Sequence, residues 1–279
     1  MDIGLSLHFF RDYEPGFDLD VHPPMLAAHG FRALELPPID LPMLDDETSL
    51  RHIRSVLEGA GLRLWSVHAP FGDAFDFSSP DPAVRETGLA EALRSLRRLR
   101  LLGGRCLVVH ASGEPSEDGD RPHRIHRAQE SLHRLVDELP AEEDIVVAVE
   151  ILPRTCLGHD SEELLRVIEP FGPRRVGVCL DVNHANLRED VCAATRRLGD
   201  RIVTTHISDN DGVDERHWMP GEGVIPWREW LAALAETGYD GPLVYELGCR
   251  KVADPPVGLD SMLAELRANA SEFLLAHDP

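Results

Sequence analysis

Eight short runs of β-branched and apolar residues recur along the chain, separated by longer stretches in which apolar residues return every three or four positions. The first kind reads as buried strands and the second as helices packed over them. The pattern predicts strands at about 3–10, 31–37, 63–70, 106–112, 145–151, 176–183, 202–208 and 242–248. It predicts helices at about 22–29, 48–59, 82–103, 121–138, 161–169, 190–199, 227–237 and 259–277. The third helix is the clearest, with Leu89, Leu93, Leu96 and Leu99 on one face and arginines on the other. Gly30, Gly103, Gly199 and Gly238 each stand where a left-handed cap closes a helix. Regular strand–helix alternation builds parallel sheets, and eight units point to an α/β fold of the (β/α)8, TIM-barrel type, with one domain spanning 1–279. No GxGxxG follows the first strand, which argues against an open dinucleotide-binding sheet.

The strand-like runs end in an unusual way. Glu150 closes VVAVE, Asp181 closes VGVCLD, His206 lies in IVTTHI and Glu246 in PLVYEL; His68 and His110 end two earlier runs, LWSVH and CLVVH. A buried strand has little reason to finish on an ionisable group unless something there neutralises it. Side chains alternate across a strand, so Ala148 shares a face with Glu150 and Val244 with Glu246. If those faces point inward, Glu150, Asp181, His206 and Glu246 meet at the C-terminal mouth of the barrel. Three carboxylates and one imidazole make a hard, mostly oxygen donor set for one divalent metal ion. Mn²⁺ fits best, with Mg²⁺, Co²⁺ and Zn²⁺ admissible.

Other residues are assigned to substrate. His184 follows Asp181 in DVNHAN, in the turn after the sixth strand; His217 precedes the sharp turn PGEG in the connection 209–226, which would bend back over the mouth. His68, His110, His184 and His217 are expected to line the substrate site, with Arg250 available for an anionic group. A core histidine bonded to a backbone carbonyl would account for His68 or His110 equally well. His8, Glu35 and Arg250 lie near strand ends and either touch substrate or hold structure, whereas His123, His126 and His133 belong to a solvated helix face.

Composition narrows the partners. A net charge of −21 over 279 residues argues against nucleic acid or an anionic membrane, which are held by clustered Lys and Arg. No stretch reaches the roughly 18 apolar residues of a membrane span. The five cysteines form no CxxC pair, and with no basic, apolar leader at the start the chain reads as cytoplasmic and free of disulfides. A homo-oligomer is compatible with an acidic barrel of this size. No GxSxG occurs and no cysteine has an activating partner in the sequence, so nucleophilic catalysis finds little support.

SVHAP at 66–70, VVHAS at 108–112, AVEI at 148–151, CLDVNHA at 179–185, THISDNDG at 205–212 and PGEG at 220–223 together resemble the xylose-isomerase-like barrel superfamily. That group includes sugar and sugar-phosphate isomerases and epimerases and metal-dependent abasic-site endonucleases. The resemblance to the isomerase and epimerase branch implies a single metal at Glu150, Asp181, His206 and Glu246, with the two glutamates as an acid–base pair acting through an enediolate. The implied substrate is a small carbohydrate-like α-hydroxy carbonyl compound; loss of a β-hydroxyl on the same apparatus would make a dehydratase. The resemblance to the endonuclease branch implies further ligands at His68, His110, His184, Glu215 and His217, three zincs and phosphodiester hydrolysis. Ketose epimerases place an arginine where His217 stands and a carboxylate where Cys156 stands, and the two departures argue against a free ketose.

Overall fold

A computed structural model describes residues 1–14, 16–114, 118–140 and 142–274. Its strands are β1 (Ile3–Ser6), β2 (Phe31–Leu36), β3 (Arg63–His68), β4 (Cys106–Val109), β5 (Val146–Glu150), β6 (Val176–Asp181), β7 (Ile202–Ile207) and β8 (Leu243–Tyr245). Each pairs in parallel with its sequence neighbours, and β1 pairs with β8, so the sheet closes into a barrel in the order β1 to β8. The helices are α1 (His22–Ala28), α2 (Glu47–Gly59), α3 (Pro82–Leu102), α4 (Arg121–Asp137), α5 (Ser161–Ile168), α6 (Val182–Asn186), α7 (Val191–Leu198), α8 (Trp227–Glu236) and α9 (Leu259–Asn269).

The strand alternation sorts residues as expected. Val147, Val149, Val178 and Leu180 join the large cluster between barrel and helices, while Cys106, Val108, Ala148 and Cys179 form a separate small core inside the barrel. Small inner residues suit a narrow eight-stranded interior filled by side chains. Above this core the same inward parity delivers Glu150 and Asp181, which stand two residues after Ala148 and Cys179. Aspartates start several helices: Asp46, Asp81, Asp160 and Asp190 accept from backbone N–H groups at 2.7–2.9 Å. Each such cap is worth about 1 kcal/mol.

The departures from the sequence reading are local. The first strand stops at Ser6, because Leu7–Asp12 turns into a 3-10 helix, and the last stops at Tyr245, just before Glu246. Residues 182–186 form the short helix α6 instead of a bare turn. Gly30, Gly103 and Gly238 take positive φ after their helices, but Gly199 (φ 55°, ψ −132°) leads into a 3-10 turn rather than a left-handed cap. Helix α9 is followed by a π-helical turn, Ala270–Leu274, and residues 275–277 of the expected helix lie outside the described residues. All five cysteines are buried and unpaired. No helix among the described residues is long and apolar enough to cross a membrane.

Candidate metal centre

The C-terminal ends of the strands converge on one acidic and imidazole cluster. Donor atoms of Glu150, Asp181, His206 and Glu246 all lie within 4.8 Å of one another. His206 Nδ1 is 3.2 Å from Glu150 Oε1 and 3.4 Å from Glu246 Oε2. Asp181 divides its labour: Oδ1 caps α6 by accepting from the His184 N–H (2.8 Å), while Oδ2 is buried and accepts no hydrogen bond. A buried carboxylate oxygen left without a donor is costly, and a cation held among these four residues would satisfy it. The donor set therefore fits a divalent metal.

Two further groups of donors adjoin the first. His68 Nε2 and His110 Nε2 each lie 3.0 Å from Glu150 Oε2, so Glu150 belongs to both groups. On the other side, His184, Glu215 and His217 also bring one donor each within 4.8 Å. His184 Nε2 and His217 Nε2 stand 3.6 and 3.8 Å from Glu215 Oε2. Arg154 pairs with Glu215 and forks onto Glu114 (2.6 and 3.0 Å), tying the loops after β4, β5 and β7 together. Arg154 and His217 hold positive φ (52° and 47°), an uncommon state for residues with a Cβ and one that collects at functional sites.

Charge is balanced within the cluster. Burial alone would lower His206 and His184, but their neighbours outweigh it: Cys179, Glu246, Glu35 and Glu150 hold His206 well above the usual histidine range, and Asp181, Glu215 and Glu150 bring His184 up to about 10. Burial pushes Asp181 up to about 6. Burial also opposes ionisation of Glu246, yet His206 outweighs it and brings the group down to about 2. His68 and His110 share one oxygen and diverge: burial draws both down, but Glu150 raises His68, whereas burial prevails at His110. The Cys179 thiol beside His206 is pushed well up by burial.

Beneath the cluster lies a residue whose role the sequence did not reveal. Glu35, fully buried on β2, faces His206 Nε2 at 2.9 Å and accepts from Ser66 Oγ at 2.8 Å. It fixes the ring so that Nδ1 faces the other three donors. His184 Nδ1 lies 3.0 Å from the Ile151 carbonyl, and His217 Nδ1 lies 3.1 Å from that of Glu246. The expected site residues thus gather; Arg250 lines the cavity above the cluster, with its guanidinium bonded to Asp254 at 3.0 Å. His8 lines the same cavity. His123 and His126 are exposed, and His133 packs on Phe171 away from the site.

A family model described as xylose isomerase-like TIM barrel matches residues 24–269. The chain belongs to that family. Among relatives, a D-psicose 3-epimerase of Ruminiclostridium cellulolyticum is 28% identical over 229 residues, covering 79% of this chain and 75% of that one. Uncharacterized protein MJ1311 of Methanocaldococcus jannaschii is 29% identical over 185 residues, 64% of this chain; the match spans 63% of that relative's length. The solved IOLI protein, whose structure carries a zinc atom, shares the fold with a TM-score of 0.82 at 16% identity over 99% of each chain.

Proposed function

We propose that the chain is a metal-dependent isomerase or epimerase of a sugar, sugar phosphate or related α-hydroxy carbonyl compound. The observation that carries the reading is the convergence of Glu150, Asp181, His206 and Glu246 within 4.8 Å, with Glu150 and Glu246 lining a large cavity. The sugar 3-epimerase relative at 28% identity supports the class of substrate. A divalent cation held by these four residues, Mn²⁺ best matching the donors, would supply Lewis-acid stabilisation of the negative charge that develops on the substrate oxygens.

The chain's own residues do the rest. Glu150 and Glu246 both line the cavity, and Glu246 is the more open, its side chain 18% exposed against 2%. Glu246 takes the α-proton at a carboxylate oxygen, and Glu150, in its protonated form, delivers one to the opposite face or to the neighbouring carbon; proton exchange with solvent then resets both carboxyls. The first outcome is epimerisation and the second isomerisation. His184 and His217 bind substrate hydroxyls, and Glu35 holds His206 in place. Replacing Glu150 or Glu246 by Gln is expected to slow exchange of the substrate α-proton with solvent deuterium by at least about 100-fold, followed by NMR across small sugars and polyol ketones. Undiminished exchange in both variants would discard the acid–base assignment.

A second reading is a multi-metal phosphodiester hydrolase. It is favoured by the two adjoining donor groups, His68–His110–Glu150 and His184–Glu215–His217. The net charge of −21 opposes a nucleic-acid substrate. Metal content per chain separates the readings: one ion on the first, three on the second.

A further inference from the structure

The cavity above the donor cluster is larger and more apolar than a small sugar requires. Its volume is about 1180 Å³, whereas drug-sized ligands are held in roughly 300–1,000 Å³. From Glu150 and Glu246 it runs toward the segments after β1 and β2, where its wall is formed by Phe10, Phe17, Leu36 and Leu44. At its edge Ile39, Leu41, Met43 and Phe71 are 40%, 41%, 45% and 49% exposed, and all four line this one cavity. Single exposed apolar side chains are ordinary; a contiguous strip beside a polar site marks a binding surface.

The strip is held in shape from behind. Buried Arg98 on α3 donates to the carbonyls of Ile39 and Leu44 (3.1 Å each) and to Asp45 (3.0 Å), and Arg94 donates to Asp40 (2.9 Å). Pro37, Pro38 and Pro42 restrict the same backbone. The polar anchors of this segment are thus engaged with α3. Phe71 joins the strip to the cluster: its ring stacks on His110 (4.4 Å between centroids, 24°) and lies 5.2 Å from His68, and both histidines contact Glu150.

We propose that the substrate is amphiphilic: a sugar-like α-hydroxy carbonyl head carrying an apolar chain or aglycone. The head sits over Glu150 and Glu246, and the apolar part lies along Phe71, Ile39, Leu41 and Met43. The nature of the head rests on the function proposed above; the apolar subsite stands on its own geometry. Each methylene taken out of water strengthens binding by about fourfold, so a short chain suffices to dominate selection.

The test titrates Mn²⁺-loaded protein calorimetrically with D-fructose, 6-O-hexanoyl-D-fructose and hexanoate. The ester is expected to bind at least about 30-fold more tightly than either fragment. Ile39→Glu and Met43→Glu, checked for folding by circular dichroism, are expected to bring the ester-to-sugar ratio below about threefold, the loss of most of the buried methylenes. Equal affinity for ester and sugar overturns the proposal, and so does hexanoate binding as tightly as the ester. A strip covered instead by a second copy of the chain would show as a dimer in sedimentation that Met43→Glu dissociates, without preference for the ester; that result also overturns it. α-Proton exchange on the same ligands judges the chemistry separately. Tight ester binding without exchange keeps the subsite and rejects the isomerase or epimerase reading, whereas exchange without ester preference does the reverse.

Discussion

His206 turns one ring nitrogen toward Glu150 and Glu246 and the other toward Glu35, so a single imidazole is gripped from above and below. A histidine oriented in this way keeps one tautomer and presents a fixed lone pair to a metal. Glu35→Gln is expected to weaken Mn²⁺ binding by about 10- to 100-fold, measured by titration in a metal buffer, with the overall fold retained. An unchanged affinity would reduce Glu35 to a packing residue. The sequence shows Glu35 as one more acid near a strand end. Its partner is 171 residues away on β7, and only barrel closure brings β2 across from β7. Asp181 was legible as a donor, but not its second task, because capping α6 with Oδ1 depends on a helix too short to read from periodicity.

At the scale of elements, the connection between β7 and α8 is built around one buried carboxylate. Asp209 Oδ1 accepts from the N–H groups of Asn210 (2.9 Å) and Ile225 (3.2 Å), and Oδ2 from Gly221 N (2.8 Å) and Trp227 Nε1 (2.8 Å). Gly223 is required there, since a Cβ would stand 2.0 Å from the Asn210 carbonyl oxygen and 2.3 Å from Asp209 Oδ1. The loop carrying Glu215 and His217 is thereby pinned to the barrel. Asp209→Ala strands several buried donors and is expected to lower stability by roughly 3 kcal/mol in urea unfolding, with substrate affinity falling as His217 is released. A second anchor holds the loop after β5. Arg121 forks onto Glu163 (2.7 and 2.6 Å) and also reaches the Thr155 and Cys156 carbonyls. Burial alone would raise Glu163, but Arg121 and the Gly158 N–H outweigh it and hold the carboxyl below its usual value. A depressed folded-state value means that this stabilisation is complete above the unfolded carboxyl range near 4.5 and is lost as pH falls below that range through the lower folded-state value. Unfolding followed from pH 6 to pH 3 should therefore steepen less in Glu163→Gln than in the parent chain.

Over the whole molecule, acidity and metal binding are linked. Carboxylates and histidines concentrated at one barrel mouth would be stabilised by a cation that the unfolded chain binds poorly. Mn²⁺ at about 100 times its dissociation constant should add about 2.7 kcal/mol of stability, reversed by chelation and read as a shift in melting temperature. No shift on adding Mn²⁺, Co²⁺ or Zn²⁺ would remove the metal centre from this account. The same preparation, analysed for bound metal, decides between one ion and three. The architecture was the most legible level, because alternating strand and helix periods are local properties repeated along the chain. All eight strands and the eight expected helices begin within a residue of their expected positions, whereas the short α6 was not expected. The trimmed ends, such as Leu7–Asp12 leaving β1 for a 3-10 helix, are where tertiary packing overrides local preference.

The amino-acid sequence alone determined the barrel and singled out the four side chains that converge at its mouth, since strand parity and strand-end chemistry are written locally. It also supplied His68, His110, His184 and His217 as neighbours of that site. What it left undecided was which groups share an oxygen, which nitrogen faces inward, and how far the cavity reaches. Those depend on closure: His68 and His110 meet on Glu150, Glu35 passes beneath His206, and the apolar strip at Ile39–Met43 turns toward the site because α3 anchors its backbone. Distances across a barrel are set by strand number and stagger, a property of the whole sheet that no single segment carries.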